Sequence, residues 1–105
     1  MFCDRLERSE YIEELSLTGL QAVFEPLNPV TPGHLLVVPW EHVAHAAVSP
    51  SVTGRVTEHA ARTVARFGYN ANIITSIGPN ATQTVYHLHI HIVPRNRNDG
   101  LQLPW

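Results

Sequence analysis

The chain has no lysine, a single cysteine and no long apolar run, and each shortage rules something out. Without lysine there is no Schiff-base chemistry and no lysine to clamp phosphates in a P-loop. One cysteine, Cys3, excludes an intramolecular disulfide framework. No apolar stretch approaches the ~18 residues of a membrane span. The start, Met1-Phe2-Cys3-Asp4-Arg5, brings charge where a secretory leader needs an apolar segment, so the expectation is a cytoplasmic protein without membrane contact. Basic runs are missing as well. Seven arginines face nine acidic residues for a net charge of −2, so the electrostatic footprint of nucleic-acid binding is lacking. Any anionic ligand must be held by histidines, hydroxyls, amides and backbone N–H groups.

What the chain does have is histidine. Seven occur in 105 residues, a length that makes one domain, 1–105, large enough to bury a core. Three of them alternate in Gln83-Thr84-Val85-Tyr86-His87-Leu88-His89-Ile90-His91-Ile92-Val93-Pro94-Arg95. Successive strand side chains point to opposite faces, so His87, His89 and His91 are expected on one face. Tyr86, Leu88, Ile90 and Ile92 then take the other, which must be buried. Three imidazoles on a stiff apolar strand have two chemical readings. Either they gather a metal ion, or a neutral imidazole, whose ordinary pKa is about 6.5, uses its lone pair as a nucleophile.

The pattern of the remaining chain predicts where this strand sits. Ser9 to Ile12 reads as a short turn or edge segment. Leu20 to Phe24 reads as a strand stopped by Pro26, and Asn28 to Gly33 as a loop of turn formers. The branched run Leu35-Leu36-Val37-Val38, ended by Pro39, is a second strand, antiparallel to the first. Trp40 to Ser49 is ambiguous. Ser49-Pro50 opens a helix whose apolar stripe is Val52, Val56, Ala60, Val64 and Phe67, with Gly68 as the C-cap. His59 lies beside that stripe and is expected at or near the surface. Asn72 to Ser76 is a further strand, Gly78-Pro79-Asn80 a tight turn, and 83–93 the histidine strand. The sum is an α+β domain, a mostly antiparallel sheet carrying one long helix.

The alternating histidines, together with Gly78, Ala81, Gln83-Thr84-Val85 and Pro94-Arg95, resemble the signature of the histidine triad (HIT) superfamily of nucleotide hydrolases and transferases. A second block, Asn28 to Pro39 followed by His42, carries the same resemblance in the right order. It implies a HIT-like fold of about five strands and one long helix, pairing into a C2 homodimer through that helix and a neighbouring strand. It also implies roles. His89 would attack the α-phosphate of a nucleotide and become nucleotidylated, guided by the backbone carbonyl of His87. His91 would hydrogen-bond a phosphate oxygen, and His34 would orient the triad. Gln83 and Thr84 would contact phosphate or leaving group, yet on one regular strand they cannot share a face. The closer likeness is to the Hint-like branch, which acts on nucleoside monophosphates carrying an amine or another leaving group.

Two positions depart from the family pattern. The residue that grips the ribose hydroxyls is Pro26 here, leaving Glu25 or Asn28 to substitute, and the phosphate-binding asparagine is Ser76. Trp105 matches a tryptophan in a tail that reaches the partner's site in the Hint branch. Some relatives also hold structural zinc, through two cysteines and two histidines. Cys3, His42 and His87 match three of those positions, so no required metal or other cofactor is expected. Two competing functions stand beside the nucleotide hydrolase. One is a zinc hydrolase using His87, His89 and His91 as ligands. The other is a catalytically weak nucleotide-binding module.

Overall fold

The protein is described by a computed structural model, which covers residues 13–14 and 21–102. Strands β1 (Glu13–Glu14), β2 (Gln21–Phe24), β3 (Leu35–Pro39), β4 (Ala71–Ile74) and β5 (Ile90–Pro94) form one sheet in the order β1-β2-β3-β5-β4. Every neighbouring pair is antiparallel. The helix α1 (Pro50–Phe67) connects β3 to β4, and β5 then inserts between those two strands. No helix among the described residues is long and apolar enough to cross a membrane.

Branched residues put β3 at the centre, with all five of its residues buried. Pairing fixes which side chains share a face. Val23, Val37 and Ile90 lie in one lateral row, and Leu35 pairs with Ile92; these residues face the helix. Val52, Val56 and Ala60 of α1 close that core. Burial of each branched side chain is worth about 1.5–3 kcal/mol, so this face carries much of the stability. The alternate row, Phe24, Leu36, His91 and Ile74, points to the other side of the sheet, where Phe24 and Leu36 join Ala22 and Val38 in a second apolar cluster. The register thus sends His91 away from the helix.

Helix α1 begins and ends where the sequence predicts. Pro50 occupies its first turn, and Gly68 closes it at φ 73°, donating its N–H to the Val64 carbonyl at 2.8 Å. Ser49 precedes it in extended conformation, but its side chain caps nothing. The buried face is Val52, Val56, His59, Ala60 and Thr63. Phe67, expected on the apolar stripe, is 57% exposed and stacks on Tyr69 instead. His59, expected near the surface, is buried. Seven positions are close to two full turns, so His59 shares the buried face of Val52, whereas Phe67 is the last residue of the helix.

The histidine strand is the largest departure. It was expected over 83–93, but regular pairing starts only at Ile90. Residues before it bond elsewhere: the Leu88 N–H donates to the Val43 carbonyl at 2.6 Å and the Gln83 N–H to the Gly78 carbonyl at 3.0 Å. Without regular pleating the alternation fails. Tyr86 is 46% exposed rather than buried, and His87 is buried along with Leu88. Similarly β4 stops at Ile74, because the Thr75 hydroxyl, and no ladder, bonds the His89 carbonyl at 2.8 Å. Past β5, Arg95 ties the tail down. Its guanidinium donates to both Asp99 oxygens, to Asn72 Oδ1 and to the Leu101 carbonyl. That partner holds the Asp99 carboxyl below its usual range. Ser9 to Ile12 lies outside the described residues.

Candidate active site

Hydrogen bonds fix the protons of three neighbouring histidines, His34, His89 and His91. The Val30 backbone N–H donates to His34 Nδ1 at 3.1 Å, so the neutral His34 ring carries its hydrogen on Nε2. That Nε2–H donates to His91 Nδ1 at 2.9 Å, which leaves the His91 hydrogen on its own Nε2. Independently, His89 Nδ1–H donates to the His87 carbonyl at 2.8 Å. His89 Nε2 therefore keeps its lone pair. The rings of His89 and His91 meet edge to face, 5.0 Å between centroids. A ring with its lone pair on Nε2 thus stands beside one with its hydrogen there.

Burial keeps these rings neutral. His34, His87, His89 and His91 all titrate below 6.5, with loss of hydration as the first cause. For His89 the bond to the His87 carbonyl partly opposes that fall. His91 is pushed down to about 4 by burial and by the neighbouring His89 and His34. Near neutral pH His91 can therefore donate a hydrogen bond without carrying charge, and His89 keeps an unprotonated nitrogen without needing a base.

His89 and His91 open into a cleft of about 480 Å³. One wall is the turn after β2, with Pro26, Leu27 and Asn28; the facing wall includes Thr84 and Val85, and Ser76 lies at the side. A second cleft, about 470 Å³, lies beyond His91 and is bordered by His34, Val30, Asn72 and Arg95. Ser76, Thr82 and His91 border both.

Several expected site residues are placed differently from the sequence reading. The His87 ring is turned out of the cleft and donates Nε2–H to the Pro39 carbonyl at 3.0 Å, so this residue serves the site through its backbone oxygen. Gln83 reaches the cleft wall, but its amide is committed: it accepts from the Gly78 N–H and donates to the Ala44 and Val85 carbonyls. It clasps the loop, whereas Thr84 is exposed and borders the cleft. The irregular strand start thereby resolves why both residues could not face one way. Glu25 does not border the cleft, and Asn28 is the polar residue on that wall. Cys3 and Trp105 lie outside the described residues.

Among the described residues no three His, Cys, Asp or Glu side chains group as ligands. The three strand histidines do not converge, since His87 faces Pro39 while His89 and His91 each spend Nδ1 on another partner. Of the structural zinc positions, His42 and His87 do meet, edge to face at 5.3 Å between centroids. Two features escaped the sequence reading altogether: the Val30 amide, because backbone donors carry no letter, and Thr82, because a left-handed threonine goes against its type.

A family profile for the HIT domain matches residues 15–98. The chain is 32% identical over 108 aligned positions to an adenosine 5'-monophosphoramidase of Schizosaccharomyces pombe, covering 100% of this chain and 81% of that protein. It is 38% identical over 90 positions to a bis(5'-nucleosyl)-tetraphosphatase of the same yeast, covering 78% of this chain and 48% of that one. Among solved structures, a HIT family protein from Bacillus anthracis superposes with a TM-score of 0.77 at 27% identity, over 100% of this chain and 79% of that one.

Proposed function

The chain belongs to the HIT family, and we propose that it is a nucleotide hydrolase acting on the α-phosphate of nucleoside monophosphate derivatives, phosphoramidates above all. The observation that carries this reading is the 2.8 Å bond from His89 Nδ1–H to the His87 carbonyl, which leaves the lone pair on Nε2 of a residue that borders the cleft. The likeness to a monophosphoramidase over the whole chain supports the substrate class.

In this mechanism the nucleoside lies against Pro26, Leu27 and Asn28, with the α-phosphate between His89 and His91. The His89 Nε2 lone pair attacks phosphorus from the side opposite the leaving nitrogen. The P–N bond breaks, its electron pair goes to nitrogen, and the amine departs after taking a proton from water. The remaining hydroxide attacks phosphorus, the P–Nε2 bond breaks, and the pair returns to His89. Nucleoside monophosphate and neutral enzyme result. His91 Nε2–H and the Thr84 hydroxyl hydrogen-bond the phosphate oxygens as charge builds on them, an electrostatic task that fixed donors perform without reorganising.

We assign the active form to a C2 homodimer in the cytoplasm. The outer strand of the sheet, β4, leaves Ile73 41% exposed, and Phe67 at the end of α1 is 57% exposed, an apolar pair suited to a twofold contact. Incubation with an adenosine phosphoramidate followed by intact mass measurement tests the chemistry. A transient nucleotidyl adduct is expected with the native chain and none with His89→Asn. Nucleotide binding without turnover would instead establish a binding module, and unchanged turnover by His89→Asn would remove the nucleophile assignment.

A further inference from the structure

Thr82 has a left-handed backbone, φ 67° and ψ 22°. The other non-glycine residue with positive φ among those described is Asn98, and asparagine tolerates that region far better than a β-branched side chain. Local bonding holds Thr82 there. It closes the short 3₁₀ turn Pro79–Ala81, donating its N–H to the Pro79 carbonyl at 3.0 Å, while Gln83 and Gly78 clasp each other across the same loop. Core packing does not account for a threonine here, since the residue is exposed. Its hydroxyl is already used, donating to the Ala81 carbonyl at 2.6 Å. What remains for a ligand to meet is bulk. Strain kept without a packing return points to function.

Its position supplies the function. The two clefts share a border of Ser76, Thr82 and His91. His89 borders only the first, whereas His91 borders both. Displacement at phosphorus sends the leaving group away from the nucleophile, toward that second cleft. Its walls include Val30, Ile74, Val93 and Leu101, with the Arg95 charge already engaged by Asp99. An uncharged, largely apolar amine substituent fits such walls.

We propose that Thr82 is a specificity-determining residue, whose left-handed backbone sets its side chain across the passage between the clefts and limits the bulk of the departing amine. The inference rests on the hydrolase reading above and extends it to leaving-group choice. The native residue restricts the enzyme to small or slender amines; glycine, which takes the same backbone without strain, opens the passage.

The test compares kcat/KM for two adenosine phosphoramidates, one releasing ammonia and one releasing benzylamine, in the native protein, Thr82→Gly and Thr82→Asn. Thr82→Gly should raise the benzylamine-to-ammonia ratio by about tenfold, the range over which pocket bulk discriminates. Thr82→Asn keeps both bulk and backbone and should leave the ratio near native. An unchanged ratio in Thr82→Gly, or an equal shift in both variants, overturns the proposal while leaving the hydrolase reading standing. Native protein inactive on both substrates removes that reading and this one with it. Melting curves of both variants confirm that any change in ratio belongs to folded protein.

Discussion

His34 Nε2 lies 2.9 Å from His91 Nδ1, although 57 positions separate the two residues in the chain. That contact decides which nitrogen of His91 offers a hydrogen to the cleft. His34→Phe removes the donor and frees His91 to adopt the other tautomer. Turnover should fall about tenfold, the value of one buried hydrogen bond, with a smaller change in KM. His34→Gln, whose amide can still donate, should recover most of the loss. Steady-state kinetics on both variants checks this; equal losses in the two would mean that His34 matters only for packing.

Acid should affect catalysis and folding in the same direction. The folded pKa values of His34, His87, His89 and His91 lie below 6.5, with His91 at about 4. Between those values the unfolded chain binds more protons than the folded one, so stability is full above about pH 6.5 and is lost as pH falls toward 4. Activity needs neutral His89, so the acid limb of kcat/KM should have its midpoint below 6.5. Denaturation midpoints and a pH–rate profile measure the two. A rise in stability on acidification across this window would contradict the assignment of neutral buried rings.

Gln83 and Thr84, adjacent in sequence, should fail in different ways. Gln83→Ala strips partners from the Gly78 N–H and from the Ala44 and Val85 carbonyls, and should cost about 2–3 kcal/mol in chemical denaturation. Thr84→Val keeps a β-branched shape at an exposed position, so it should slow turnover while shifting stability by less than about 0.5 kcal/mol.

Substrate charge gives a further expectation. Arg95 is the one Lys or Arg among the described residues bordering either cleft, and Asp99 neutralises it with bonds of 2.9 and 3.1 Å. A polyphosphate leaving group would find no free cation there. Adenosine phosphoramidate should therefore have the higher kcat/KM when compared with a dinucleoside tetraphosphate, and its rate should respond little to added salt. The reverse preference would place a cation at the site from elsewhere in the chain.

Much of this was legible in the letters, and the exceptions have physical causes. Val52, Val56, Ala60 and Gly68 gave the helix because periodicity and capping are local properties. Strands β2 and β3 were legible for the same reason, being short, largely apolar runs each stopped by a proline, Pro26 and Pro39. Alternation misplaced Tyr86 and His87 because it assumes a pleated strand, whereas Leu88 bonds to Val43, a partner that no local pattern reveals. The pair His89 and His91 was legible from spacing, but the proton assignment was not, since it starts from the Val30 backbone. Gln83 misled because one side chain suits a phosphate and a peptide group equally well.

The Pro39 contact of His87 has an evolutionary corollary. In the proposed mechanism catalysis draws on this residue's carbonyl, a group every amino acid possesses, whereas the imidazole bonds the Pro39 carbonyl. Selection on chemistry alone would then be blind to the identity of the motif's opening letter. Descendants that had traded it for glutamine would slip past a search keyed to three histidines while still cleaving nucleotides.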